Sequence, residues 1–195
     1  MAHPACRRCG EALVHRSGQR QCQRCARHPL AIDETVIGFA YRYPLDIMVR
    51  RLKYGGALHL ARPLADGLAQ AAGHHALPDG LLAMPLSTQR RRQRGYNQAH
   101  EIAVHLARRF GRPLMSGVHR IRDTRTQAGL NFAQRQDNVA DAFDCVSSLQ
   151  GLKVAVVDDV MTSGATMDAL ARVLKAQGAR RVSAWVVART PSPEL

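Results

Sequence analysis

Aromatic side chains make up only 5% of this 195-residue chain: four Phe, four Tyr and one Trp. So few rings leave few platforms on which bases could stack, which weakens the case for sequence-tolerant strand binding but not for contacts to phosphate alone. Acidic residues are scarce too. Against 28 Lys plus Arg stand 15 Asp plus Glu, a formal net charge of +13. A surface that basic attracts phosphate on nucleic acid, anionic lipid or a small polyphosphate, without choosing among them. No apolar run approaches the roughly 20 residues of a membrane span, and the opening MAHPACRRCG lacks the apolar stretch of a signal peptide. Membrane insertion is therefore not expected, and the expected location is the cytoplasm. Internal repeats and low-complexity segments are missing as well. With 46% hydrophobic and 22% charged residues, the chain can bury one good-sized core and carry a small appendage.

What the chain does have begins with cysteine. Cys6, Cys9, Cys22 and Cys25 form a C-x2-C-x12-C-x2-C pattern within the first 25 residues. Each C-x2-C knuckle can present two thiolates to one point, so the pair suits tetrahedral Zn2+. Two disulfides are the alternative, but they require an oxidising compartment that a cytoplasmic chain lacks. Metal would also hold together a segment too short and polar to fold on its own core. This sets the expected organisation: a zinc-binding module over residues 1–32, then a second domain over 33–195. Arg7, Arg8, Arg16, Arg20, Arg24 and Arg27 against the single acid Glu11 make the module basic. Cys145, alone beside Phe143 and Val146, is expected in the core.

Past the module, strand and helix patterns alternate. Thr35 to Tyr43 reads as a strand, and Leu45, Met48, Val49 and Leu52 then mark one face of a helix. Ala61, Leu64, Ala65, Leu68 and Ala72 mark another. Leu81 to Pro85 is a short strand, and a helix with Ala99, Ile102, Ala103, Leu106 and Phe110 on one face ends at Gly111. Leu152 to Val157 and Val182 to Ala188 are further strands, separated by a helix from about Ala165 to Gln177 that Gly178 closes. The alternation predicts an α/β fold, a parallel sheet flanked by helices. Such sheets bind ligands at the carboxyl ends of their strands.

The stretch VAVVDDVMTSGATM, residues 154–167, lies at such an end. Thr162, Ser163, Gly164, Ala165 and Thr166 open a helix, where backbone N–H groups, the helix dipole and three hydroxyls suit a phosphate monoester. Gly164 lets backbone approach the phosphate oxygens. A plain helix cap would explain Thr162 or Ser163, but not Asp158 and Asp159. Two carboxylates would repel a phosphate, so they are expected to face other ligand atoms, such as sugar hydroxyls. Phosphate at one end and a cis diol at the other describes ribose 5-phosphate.

Four apolar residues, two acids, two apolar residues and T-S-G-A-T resemble the signature of type I phosphoribosyltransferases, which bind 5-phosphoribosyl 1-pyrophosphate (PRPP) with Mg2+. The cysteine pattern, Lys53-Tyr54-Gly55-Gly56, Arg92-x-Arg94-Gly95-Tyr96-Asn97-Gln98 and Arg120-x-Arg122-x-Thr124-x-x-Gln127 followed by Arg135, Asn138 and Phe143 resemble one branch, the ComF family of bacterial competence and DNA uptake. The resemblance implies a type I phosphoribosyltransferase-like sheet. It puts Asp158 and Asp159, the catalytic candidates, on the ribose hydroxyls and residues 162–166 on the 5-phosphate. It puts a pyrophosphate loop at Ser87, Arg94, Gly95, Tyr96 and Asn97, although Arg94 to Gln98 also reads as a polar helix cap. A flexible lid, with Arg122, Gln127 and Arg135, would exclude water from an oxocarbenium-like transition state.

The implied partners are PRPP, single-stranded DNA and the DNA-uptake machinery. Two alternatives remain open: an active transferase on a small base or amine, and a PRPP-sensing interaction module without nucleic acid. Because the chain stops within a few residues of its last strand pattern, ordinary nucleobase salvage is not expected.

Overall fold

The computed structural model describes residues 5–13, 20–122, 139 and 141–190. In chain order the elements are α1 (Gln23–Arg27), β1 (Glu34–Ala40), α2 (Leu45–Tyr54), a 3-10 turn (Leu58–Leu60), α3 (Ala61–Ala72) and β2 (Gly80–Ala83). Then follow α4 (Thr88–Arg94), α5 (Gln98–Phe110), β3 (Val118–Arg120), β4 (Phe143–Cys145), β5 (Lys153–Met161), α6 (Ala165–Ala176) and β6 (Arg181–Arg189). Four strands form a parallel sheet in the order β1-β6-β5-β2, and β3 and β4 form a separate antiparallel pair.

Both faces of this sheet are covered, and the alternation of side chains along a strand sorts the core into two layers. Val154 and Val156 of β5, with Val182, Ala184 and Val186 of β6, pack under α6 through Leu170, Ala171 and Leu174. Ala155 and Val157, with Trp185 and Val187, pack under α2, α3 and α5 through Leu52, Leu64, Leu68, Ile102 and Leu106. The apolar stripes that define α2, α3 and α5 in the sequence are the faces that are buried. At α3 the approach to the sheet is close enough to require glycine, since a Cβ on Gly67 would lie 1.9 Å from the ring of Phe39. Cys145 is buried, as its apolar neighbourhood suggests.

The cysteine module packs against the α6 side of the sheet. Cys6, Cys9 and Cys25 belong to the same buried cluster as Leu30, Ile32, Met161 and Ala165. The segment at the expected boundary is tied on both sides. Arg8 donates to the carbonyls of Leu30 and Ile32, while Asp33 accepts from the amide of Val182 at 2.8 Å and from Lys175 at 2.9 Å. At the far end of β6, buried Arg189 donates to the carbonyl of Cys9 and pairs with Glu11 at 2.5 Å. Among the described residues, no helix is long and apolar enough to cross a membrane.

Two strands end well away from their sequence patterns: β1 stops at Ala40 and not at Tyr43, and β5 runs on. β5 does not stop at Val157 but continues to Met161, because β6 goes on pairing with it through Asp158↔Val186, Val160↔Ala188 and Met161↔Arg189. β2 leaves the sheet after Ala83, opposite Val157. The two acids therefore lie inside a strand that has lost one neighbour, at the point where the sheet opens.

Candidate functional site

The opening beside β5 is a cavity of about 620 Å³. Its floor is Asp158, Asp159 and Val160 of β5. One wall is the turn after β5, with Thr162, Gly164, Ala165 and Thr166; the opposite wall brings Lys53, Tyr54 and Gly56 from the end of α2, and Arg90, Arg94 and Tyr96 from the α4 region. Arg120 of β3 completes the lining. Four cations, Lys53, Arg90, Arg94 and Arg120, thus surround two carboxylates. The excess suits a ligand with several negative charges.

The two carboxylates are not equivalent. Asp159 is 2% exposed, and its Oδ2 sits 3.0 Å from Nζ of Lys53. Burial works against the charged lysine, but the two carboxylates outweigh it and hold Lys53 above its ordinary value. Asp158 is half-buried beside the cavity, and desolvation together with the charge of Asp159 pushes it from the ordinary 3.8 up to about 7. One lysine facing two acids leaves negative charge in need of a partner, and hydroxyl donors or a cation such as Mg2+ would supply it.

Gly164 caps α6 in a left-handed conformation (φ 84°), with its amide turn open to the cavity. A side chain there would be strained. Ser163 points the other way: it is buried, and its Oγ accepts from the amide of Ala165 at 3.3 Å. Of the five turn residues expected at a phosphate, Thr162, Gly164, Ala165 and Thr166 line the cavity, whereas Ser163 holds the turn.

The expected pyrophosphate loop divides similarly. Ser87 is the buried cap of α4, and Gly95 ends that helix at φ 77°. Asn97 caps α5 by accepting from Ala99 at 3.0 Å, and its Nδ2 donates to the carbonyl of Met84 at 3.0 Å. The cap reading of this stretch is thus met in Asn97. Tyr96 lines the cavity while its hydroxyl donates to the carbonyl of Leu52. Arg94 also faces the cavity, stacked 4.9 Å over the ring of Tyr54 and donating to Gln98 at 2.9 Å. Of the lid candidates, Arg122 is exposed just past β3 and outside the cavity lining, and Gln127 and Arg135 lie outside the described residues.

Lys53 and Arg120 have no role that the sequence alone assigns, although both sit in motifs that stand out in it. The available signal is placement: the carboxyl end of a parallel strand draws in whatever basic residues end the neighbouring elements. A further buried acid, Asp168, belongs to no such motif. It accepts from the amide of Ala31 and from Nε of Arg172 at 3.1 Å, linking the first turn of α6 to the segment after the cysteines.

At the cysteine module, the ligand sulfurs of Cys6, Cys9, Cys22 and Cys25 all lie within 4.8 Å of one another, with Cys9 and Cys22 3.6 Å apart. Tetrahedral Zn–S bonds of about 2.3 Å separate sulfurs by roughly 3.8 Å, so the four could hold a metal such as zinc. Hydrogen bonds from Cys25 and Cys9 hold the Cys6 thiol well below its ordinary value, while the hydrogen bond to Cys6 pushes Cys25 up and burial pushes Cys22 up, so the four thiols share their protons unequally. Arg24 faces this sulfur cluster; burial opposes its charge, but the hydrogen bond to Cys9 and the charges of Cys9, Cys25 and Cys22 together outweigh the burial and raise its pKa. Arg24 and Arg8 are thereby engaged within the module, and among its described residues Arg7, Arg20 and Arg27 are the exposed cations, Arg7 lying 3.9 Å from Glu34.

Comparison with known proteins agrees with this geometry. The family model for the phosphoribosyl transferase domain matches residues 56–195. Competence protein F of Haemophilus influenzae is 31% identical over 196 residues, covering 95% of this chain and 85% of that protein. DNA utilization protein YhgH of Salmonella typhimurium is 33% identical over 192 residues, covering 95% and 84%. Competence protein ComFC of Bacillus subtilis is 32% identical over 114 residues, covering 56% of this chain and 44% of that protein.

Proposed function

The chain belongs to the phosphoribosyl transferase domain family and to its ComF competence branch, and on that premise we propose that it binds PRPP in the β5 cavity and serves DNA uptake in the cytoplasm. One observation carries the PRPP reading: a single cavity holds Asp158, the amino end of α6 and four cations. Each suits a different part of the ligand. The carboxylate accepts hydrogen bonds from the ribose hydroxyls, and the Thr162–Thr166 turn with the α6 dipole takes the 5-phosphate. Arg94, Lys53 and Arg120 face the pyrophosphate. Mg2+ bound with the ligand would neutralise a departing pyrophosphate, while the protein's part is to position the sugar.

The names of the relatives, competence and DNA utilization, support the DNA-uptake role. The basic surface supports single-stranded DNA as the partner. Zn2+ is the metal that the four sulfurs fit, and its role is structural.

Calorimetric titration with PRPP and Mg2+ tests the first part. Saturable binding is expected, and Asp158→Asn should weaken it at least about tenfold, the scale of one charge-assisted hydrogen bond. Unchanged affinity in that variant would remove the carboxylate from the site.

A further inference from the structure

A chain poor in aromatics has placed two of its tyrosines in solvent, one at the end of α2 and one just before that helix. Among the described residues, six large apolar or aromatic side chains stand exposed, and four of them lie on or beside α2: Tyr43 at 77%, Ile47 at 41%, Tyr54 at 73% and Leu58 at 43%. The other described rings are buried or packed against the core, as are Tyr41, Tyr96 and Trp185. The core does not need α2's outward side, since Leu45, Val49 and Leu52 already seal the inner one. Burial therefore does not account for this face.

The outward residues fall in a helical stripe. Ile47, Arg50, Arg51 and Tyr54 recur at i, i+3, i+4 and i+7, and Tyr43, which precedes the helix, shares a groove with Ile47. All five are exposed. From Ile47 to Tyr54 the helical stripe runs about 10 Å at 1.5 Å per residue, with Tyr43 beyond one end, Tyr54 at the other and two guanidinium groups between. Arg42 and His59 are exposed at its margins, and the acid on this helix, Asp46, is half-buried in its first turn. Two shallow apolar grooves flank the stripe, one along Tyr43, Ile47 and Leu60, the other along Ile47, Arg50 and Tyr54. Neither groove has an acidic residue in its lining.

We infer that this face of α2 is the track for a single-stranded nucleic acid, with bases stacking on Tyr43 and Tyr54 and phosphates paired with Arg50 and Arg51. Rings spaced along a basic ridge recognise single strands, whose base faces are open, and not duplexes, whose base faces are closed. The charge pattern complements a polyanion throughout. Tyr54 also lines the β5 cavity, under Arg94, so the track ends at the cavity mouth. The inference rests on the DNA reading above and adds to it where the strand lies. It places the main contact on α2 and not on the cysteine module, where Arg8 and Arg24 are already engaged.

The test is fluorescence anisotropy with a labelled oligo-dT of about 20 nucleotides and the zinc-loaded full chain. Tyr43→Ala and Tyr54→Ala should each weaken binding at least about fivefold, the lower end of what one stacked base contributes, and leave its salt dependence unchanged. Tyr→Phe at both positions should restore affinity, because stacking needs the ring and not the hydroxyl. Arg50→Gln with Arg51→Gln should instead flatten the log–log salt dependence by roughly 0.7 for each phosphate no longer neutralised. Melting temperatures check that the variants fold, which is expected since every altered side chain is exposed. Wild-type binding that none of these variants alters would overturn the track while leaving the DNA reading in place, and would point to a protein segment as the occupant of this face. Equal affinity for duplex, insensitive to the tyrosines, would also overturn it, since that is backbone electrostatics alone. No affinity for oligo-dT even at low salt would overturn both readings together.

Discussion

Asp158 and Asp159 are adjacent in the chain and both line the cavity, but they differ in burial and partner. Asp159 is buried and paired with Lys53, whereas Asp158 is half-buried. Changing both at once would therefore confuse ligand contact with fold. Asp159→Asn leaves the Lys53 charge without its partner and is expected to cost about 3 kcal/mol, read as a lower midpoint in thermal or urea denaturation. Asp158→Asn should be close to neutral or stabilising. The pH dependence has a definite sign: with a native pKa of about 7 against an ordinary 3.8, folded Asp158 keeps a proton that the unfolded chain has released. Its contribution to stability is fully present below about pH 4 and is lost as pH rises through 7. Wild type should therefore lose melting temperature across that window relative to Asp158→Asn. PRPP affinity should fall below pH 7 in wild type more than in the variant, because a protonated carboxyl no longer accepts from two hydroxyls. Equal pH profiles would show that Asp158 does not titrate there.

The unit that matters at the next scale is β5, its turn and α6, and the structure ties this unit to the cysteine module. Asp168 in the first turn of α6 accepts from the amide of Ala31, and Leu30 packs 3.5 Å from where a Gly164 side chain would begin. The phosphate-facing turn therefore rests on the segment that follows the cysteines. Asp168→Ala should lower stability by about 2 kcal/mol, since it strands a buried donor, and should weaken PRPP binding severalfold. Asp168→Asn, which keeps an acceptor, should recover most of both. Loss of stability without any change in PRPP affinity would separate the turn from its support. The sequence marked this helix and Gly178 at its end correctly, since 3.6-residue periodicity and left-handed glycines are local properties, but its cap reading fell on Thr162 or Ser163 where Gly164 holds the place. It ended β5 four residues early, because strand length depends on β6, which lies about twenty residues further on.

For the whole molecule, the two-layer core includes the cysteines, so metal and fold are coupled. One zinc per chain is expected by elemental analysis, and it should be lost when Cys6, Cys9, Cys22 and Cys25 are changed to Ser. Chelation should lower the melting temperature of the entire chain in a single transition, because Cys6, Cys9 and Cys25 share a core with Met161 and Ala165. An early transition confined to the module, with the main one unmoved, would show that the two parts fold separately.

The amino-acid sequence by itself determined the alternation of strands and helices, the metal-ligand spacing and the acid pair followed by a phosphate-type turn. All of these depend on residues close in sequence, the cysteine knuckles being the most widely spaced, and spacing along a chain preserves that information. The tertiary structure alone decided which members of each motif face the cavity. Ser87 and Asn97 turn to cap helices, Ser163 turns to hold the amide of Ala165, and Arg8 and Arg24 turn to serve the module. Lys53 arrives from a helix more than one hundred residues away to pair with one acid and leave the other poised. It also decided what became of the rare aromatics: Tyr54 of α2 and Tyr43 just before it stand in solvent because Leu45, Val49 and Leu52 had already filled the side facing the core. Periodicity identifies a helix's buried face. What its other face serves depends on what the rest of the chain leaves uncovered.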